Sequence, residues 1–374
     1  LVVVKSKFNK ECSFHESIFD RFTLKDVTVR NRIAVSPMCQ YSAVDGFVND
    51  WHFVHLGSKA IGGAGIVTVE ATGVTPEGRI SPGCTGIWSD DHIPGLKHIA
   101  GFLKAHGSVA AIQIAHAGRK ASANKPWEGD DHLEPSEGAW QTIAPSSLAF
   151  GANLPVTPRE MTLADISAVK AAFVAGAKRS LEAGFEWLEL HFAHGYLAHE
   201  FYSPLSNHRT DQYGGSFDNR TRFMMETLEA VRAVWPERFP LTARLSVTDW
   251  TEGGVTIEES IELTKRFKAN GLDLLDVSQG FVIPDISRIP WGPGFMIPFS
   301  SQIRRETGLP TSVGWMISDP KQANEAIKQG DADIIMLARE FLRDPQWPFH
   351  AAQQLGIETP QNLLPIQYGN WLKR

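Results

Sequence analysis

Eight times along this chain, a short apolar or β-branched run is followed by a Gly or Pro break and then by a longer amphipathic segment. Short continuous apolar runs of this kind make parallel strands buried on both faces. The spacing predicts strands over Arg32–Ser36, Gly65–Ala71, Val109–Ile114, Trp187–His191, Leu241–Leu245, Leu274–Val277, Pro310–Val313 and Ile334–Leu337. Helices are expected over Trp51–Ile61, Ile93–His106, Leu163–Ala183, Arg220–Trp235, Ile257–Asn270, Phe299–Thr307, Pro320–Gln329 and Gln346–Leu355. Thr162-Leu163-Ala164-Asp165 resembles a capping box, and Ser318-Asp319-Pro320 places a cap beside a first-turn proline. Gly184 and Gly271 each end a helix ahead of a strand. Eight strands alternating with eight helices imply a (β/α)8 TIM barrel, an α/β fold. A doubly wound sheet is the runner-up, but no glycine cluster has dinucleotide-fingerprint spacing and context.

Two stretches depart from the rhythm. Residues 1–20 lack periodicity and read as an N-terminal arm, leaving 21–374 as one barrel domain. Residues 115–161 form a long insertion after the third strand, rich in proline and carrying Trp127 and Trp140. A connection of that length in a compact domain is usually a functional cap or lid.

Composition narrows the partners. The chain has 374 residues, 43% hydrophobic and 21% charged, with a net charge of −6. With no basic block, nucleic acid and anionic membranes are not expected partners. Cys12, Cys39 and Cys84 are too widely spaced for a disulfide framework or a zinc motif, and they fit a reducing, cytoplasmic setting. No apolar stretch is long enough to span a bilayer. The opening Leu1-Val2-Val3-Val4 is too short for a signal-peptide core.

The chemistry gathers after the fourth strand. His191-Phe192-Ala193-His194-Gly195-Tyr196 puts three hydrogen-bonding side chains at one strand end, with Gly195 allowing a sharp turn. Barrels place their active sites at such ends. The other strand ends add Pro37-Met38-Cys39-Gln40-Tyr41, Glu70-Ala71, Gln113, Arg244, Gly314-Trp315 and Ala338-Arg339. This set suits a flat, polar-edged ligand with a negative end. Gln113 can donate to and accept from a ring amide edge, and Arg244 suits a ring that becomes anionic. Gly314 and Arg339 follow the last two strands, where barrels commonly hold phosphate. Paired histidines also admit a metal-dependent barrel hydrolase, which would need a third protein ligand.

These residues carry a family resemblance. His191 to Leu197, Ser203-Pro204, Asn207, Arg209, Asp211, Tyr213-Gly214-Gly215-Ser216 and Asn219-Arg220 resemble the old yellow enzyme pattern. So do Asn31-Arg32, Ile112 to Arg119, and Gly314 with Arg339. Cys39 in Pro37-Met38-Cys39-Gln40-Tyr41 resembles the bacterial thermophilic-like subgroup. Lys120-Ala121-Ser122, Trp127-Glu128-Gly129, Trp291-Gly292-Pro293, Trp315 and Trp371-Leu372 are most similar to its xenobiotic reductase branch.

The resemblance implies an FMN-dependent ene-reductase. NAD(P)H would reduce the flavin and be replaced by an α,β-unsaturated carbonyl, nitro or phenolic ligand. His191 and His194 would bind the substrate oxygen. Hydride would pass from flavin N5 to the β-carbon, and Tyr196 would protonate the α-carbon. Pro37, Met38, Cys39, Ala71, Gln113 and Arg244 would hold the flavin ring. Gly314, Trp315, Ala338 and Arg339 would hold its phosphate end. Tyr41 and Trp315 would line the substrate pocket. Trp371 would reach the site of a partner subunit in a homodimer or dimer-based oligomer.

Overall fold

The computed structural model describes residues 17–373. The hairpin β1 (Phe22–Leu24) and β2 (Val27–Val29) comes first. Eight parallel strands then close on themselves in chain order: β3 (Ile33–Val35), β4 (Ile66–Gly73), β5 (Val109–Ala115), β8 (Trp187–Phe192), β9 (Leu241–Ser246), β10 (Leu274–Ser278), β11 (Thr311–Val313) and β12 (Ile334–Leu337). β12 pairs with β3, which closes the (β/α)8 barrel. Two-residue strands β6 (Ile143–Ala144) and β7 (Arg159–Glu160) pair inside the insertion.

The helices are α1 (Asp50–Ile61), α2 (Ile93–Ala105), α3 (Leu163–Glu182), α4 (Leu197–Tyr202), α5 (Phe217–Arg232), α6 (Ile257–Ala269), α7 (Ile297–Thr307), α8 (Pro320–Lys328), α9 (Arg339–Arg343), α10 (Trp347–Gln354) and the single turn α11 (Ile366–Gly369). α3 starts as its sequence requires: the Thr162 hydroxyl accepts from Asp165 N–H while the Asp165 carboxylate accepts from Thr162 N–H. Asp319 caps α8 with Pro320 in its first turn. α5 begins three residues ahead of the expected start because Ser216 supplies the cap.

Most of the expected arm lies outside the described residues. Its last part does not: Ile18 is fully buried in the core, and its carbonyl accepts from Arg32 N–H. The hairpin β1–β2 and the short helices α4 and α9 have no counterpart in the expected elements. Each is too short to show a period.

Candidate active site

β8 carries Glu189 and His191 inward, and Arg244 on β9 is the register partner of His191. Gln113 on β5 pairs in register with Glu189, and Arg244 with Asp276 on β10. Alternation along neighbouring strands therefore builds one polar layer inside the barrel. Gln113 Nε2 donates to Glu189 Oε1 at 2.7 Å. Arg244 Nε lies 3.0 Å from Asp276 Oδ2, and its Nη1 donates to Ser36 Oγ at 3.0 Å. Burial pushes the carboxyls of both Glu189 and Asp276 upward, and the single Arg244 guanidinium beside them offsets this only in part. Burial and then Asp276 raise the Glu189 carboxyl to about 8.

Beyond this layer the chain turns sharply. Gly195 has φ +69°, and a Cβ there would meet the Phe281 carbonyl oxygen at 2.0 Å. Only glycine fits, and the turn brings the His191 ring within 5.1 Å of both His194 and Tyr196. His194 itself sits at φ +62°, an uncommon conformation for a residue with a Cβ. Burial, reinforced by Arg244, holds both imidazoles well below their ordinary range, so they are neutral. Burial holds the Tyr196 phenol well above its ordinary range, so it keeps its proton. Lys120 donates to the His194 carbonyl at 2.8 Å, and its ammonium lies 4.9 Å from the Tyr196 ring centre.

A cavity of about 460 Å³ opens beside these groups, in the range of cofactor pockets. It gathers Pro37, His194, Arg244, Gly314, Trp315, Ala338 and Arg339 from the expected set. Gly314 leaves no room for a side chain, since a Cβ would meet the Met336 carbonyl oxygen at 2.5 Å. That requirement comes from packing against β12; Gly314 also lines the cavity, together with Arg244 and Arg339. Ala71 and Tyr196 line a second, smaller pocket with Cys84. Tyr41 stands edge-on to Trp127 of the insertion at 5.8 Å. The Cys39 thiol is pushed well up by burial and by Glu70, which disfavours the thiolate. Met38 is half-buried against the core. Trp371 does not line this cavity and is 81% exposed.

Sequence reasoning missed several groups here. Ser36 and Met336 line the cavity, and Ser278, Glu189 and Asp276 support it from the barrel interior. Only the inward parity of a strand could have flagged Glu189, and serines carry no such signal.

Fold and site together define the class: a (β/α)8 barrel with a cofactor-sized, cationic cavity at its C-terminal face. Residues 17–358 match the NADH:flavin oxidoreductase / NADH oxidase family. The NADPH dehydrogenase of Geobacillus thermodenitrificans is 46% identical over 353 residues, spanning 94% of this chain and 97% of that protein. The NADPH dehydrogenase of Bacillus subtilis is 42% identical over 354 residues, 94% of this chain and 98% of that one. Among solved structures, morphinone reductase superposes with a TM-score of 0.77 at 25% identity, covering 96% of this chain and 97% of its own. A 2-naphthoyl-CoA reductase complex gives 0.82 at 26% identity, over 94% of this chain and 53% of that one. The chain belongs to the NADH:flavin oxidoreductase family of old yellow enzyme type. It is an FMN-dependent oxidoreductase with NAD(P)H as reductant.

That family gives no support to the metal-hydrolase alternative. Among the described residues, no third His, Cys, Asp or Glu joins His191 and His194 as a metal-binding group. Nor is any helix among them long and apolar enough to cross a membrane.

Proposed function

We propose that this enzyme reduces the carbon–carbon double bond of α,β-unsaturated carbonyl or nitro compounds. The observation that carries the reading is the triangle of His191, His194 and Tyr196 beside the cationic cavity. The cavity's chemistry suits FMN. Pro37, Met38, Cys39, Ala71, Gln113 and Arg244 would hold its ring, and Gly314, Trp315, Ala338 and Arg339 its phosphate end. When bound, FMN supplies the hydride chemistry.

The chain's own residues do the rest. Adding hydride to the β-carbon of an enone builds negative charge on the carbonyl oxygen. Two neutral imidazoles donating to that oxygen stabilise the charge without a proton leaving either ring. Tyr196 holds its proton at the phenol oxygen and can deliver it to the basic α-carbon. Tyr41 and Trp315 bound the substrate space, and residues 115–161 cap it, with Trp127 against Tyr41. Trp371 of a second copy would complete that wall in a homodimer or dimer-based oligomer.

The test is His191→Ala/His194→Ala, assayed with NADPH and a cyclic enone. Losing one oxyanion donor typically costs about a hundredfold or more in rate, so the double variant should lose at least that while still binding FMN. Unchanged enone reduction would refute the assignment.

A further inference from the structure

His194 is held at three points. Its backbone N–H donates to Ser246 Oγ at 2.9 Å, and its carbonyl accepts from Lys120 at 2.8 Å. Its ring Nε2 lies 2.6 Å from Ser278 Oγ. Ser246 and Ser278 are register partners at the ends of β9 and β10, so the same rung of the barrel grips both ends of one residue. Together these restraints hold His194 in a left-handed backbone conformation that residues with a Cβ seldom adopt.

The hydrogens at this junction follow from donor arithmetic. Trp315 Nε1–H lies 2.9 Å from the same Ser278 Oγ, and an indole nitrogen can only donate. Ser278 therefore accepts from Trp315. Its own hydroxyl hydrogen is fully buried and has no other acceptor among the described residues than His194 Nε2. Leaving a buried hydroxyl hydrogen unpaired is unfavourable, so it goes to that nitrogen. A neutral imidazole that accepts at Nε2 carries its proton on Nδ1. At His191 the pattern is reversed. There Nδ1 accepts from Ala193 N–H at 3.4 Å, which leaves the proton on Nε2. Among the described residues neither His194 Nδ1 nor His191 Nε2 has a hydrogen-bond partner, and neither is a sealed, unsatisfied atom.

We propose that Ser278 is a positioning residue that fixes the ring proton of His194 on Nδ1, so that the two donors to the substrate oxygen are His194 Nδ1–H and His191 Nε2–H. The role as donors rests on the ene-reductase reading; the proton position does not. Trp315 acts in the same relay, because its indole N–H commits Ser278 to donate towards His194.

The experiment is long-range ¹H–¹⁵N correlation of the histidine rings in the FMN-loaded, substrate-free enzyme, with His194 assigned from the spectrum of His194→Gln. The wild type should show His194 protonated at Nδ1. Ser278→Thr, which keeps the hydroxyl, should preserve that form. Ser278→Ala should move the proton wholly or partly to Nε2 and weaken binding of p-nitrophenol roughly fivefold, the worth of about one hydrogen bond. His194 protonated at Nε2 in the wild type would overturn the proposal, whether or not Ser278→Ala folds. So would an unchanged His194 tautomer in folded Ser278→Ala. An enzyme with the inferred tautomer but no enone turnover would support this assignment and overturn only the proposed reaction.

Discussion

At the N-terminal end of the barrel, Val27 and Val29 of the hairpin pack on the strand starts Ile66, Val109, Trp187, Leu274 and Ile334. At the C-terminal end the strands run out into Tyr41, His194, Phe281, Trp315 and Met316, all at positive φ without being glycine. One end is a plug of apolar side chains in ordinary conformations. The other spends conformational strain to aim polar groups into a cavity. Stability and chemistry therefore sit at opposite ends of the same eight strands, and β8 serves both: Trp187 begins it and His191 lies near its end.

That division can be broken by mutation. The largest stability effect is expected at the plug. Trp187 is buried, and its indole N–H donates to Thr242 Oγ1 at 3.2 Å. Trp187→Ala should cost about 3–5 kcal/mol in denaturant unfolding. The rate per folded molecule should stay near wild type, and a matching loss of turnover would contradict the separation.

The polar layer joins the two ends, and pH reads it. Glu189 is raised to about 8, so the folded protein keeps a proton that the unfolded chain has lost. Its contribution is fully present below the ordinary glutamate range and is lost as pH rises through about 8. Asp276 and Glu200 are shifted the same way, so Glu189→Gln should shrink this slope rather than remove it. Thermal melts of both proteins between about pH 5 and about pH 8 check this. Parallel curves would mean that Glu189 is already ionised.

The smallest effect is expected outside the barrel. Among the described residues Trp371 is the most exposed large hydrophobic side chain, and a second copy is the occupant proposed above. Trp371→Ala, and truncation before Tyr368, should raise substrate KM a few-fold and weaken self-association on sizing. Unchanged size and kinetics would remove Trp371 from the site.

Much of the fold was legible because burial on both faces forces continuous apolar strands between amphipathic helices. The expected strands match the observed ones to within two residues at either end. Gly184 and Gly271 adopt the positive φ of +88° that their place after a helix implies. The site was legible where the residue type has few other uses, as with two histidines and a tyrosine around one glycine. It was opaque where function depends on a common residue in register. Ser246 and Ser278 look like any strand-end serines until the barrel closes and puts them on one rung. Glu189 read only as one residue inside the expected strand Trp187–His191, because its partner Asp276 is 87 positions away on another strand.

The central claim is that the C-terminal end divides its work, with the histidines binding charge and Tyr196 moving a proton. Rapid mixing of Tyr196→Phe reads the two half-reactions separately. Flavin reduction by NADPH should proceed at the wild-type rate, while reoxidation by an enone should slow by about a hundredfold or more, the usual worth of a positioned general acid. Equal slowing of both halves, or reoxidation as fast as wild type, would contradict the account.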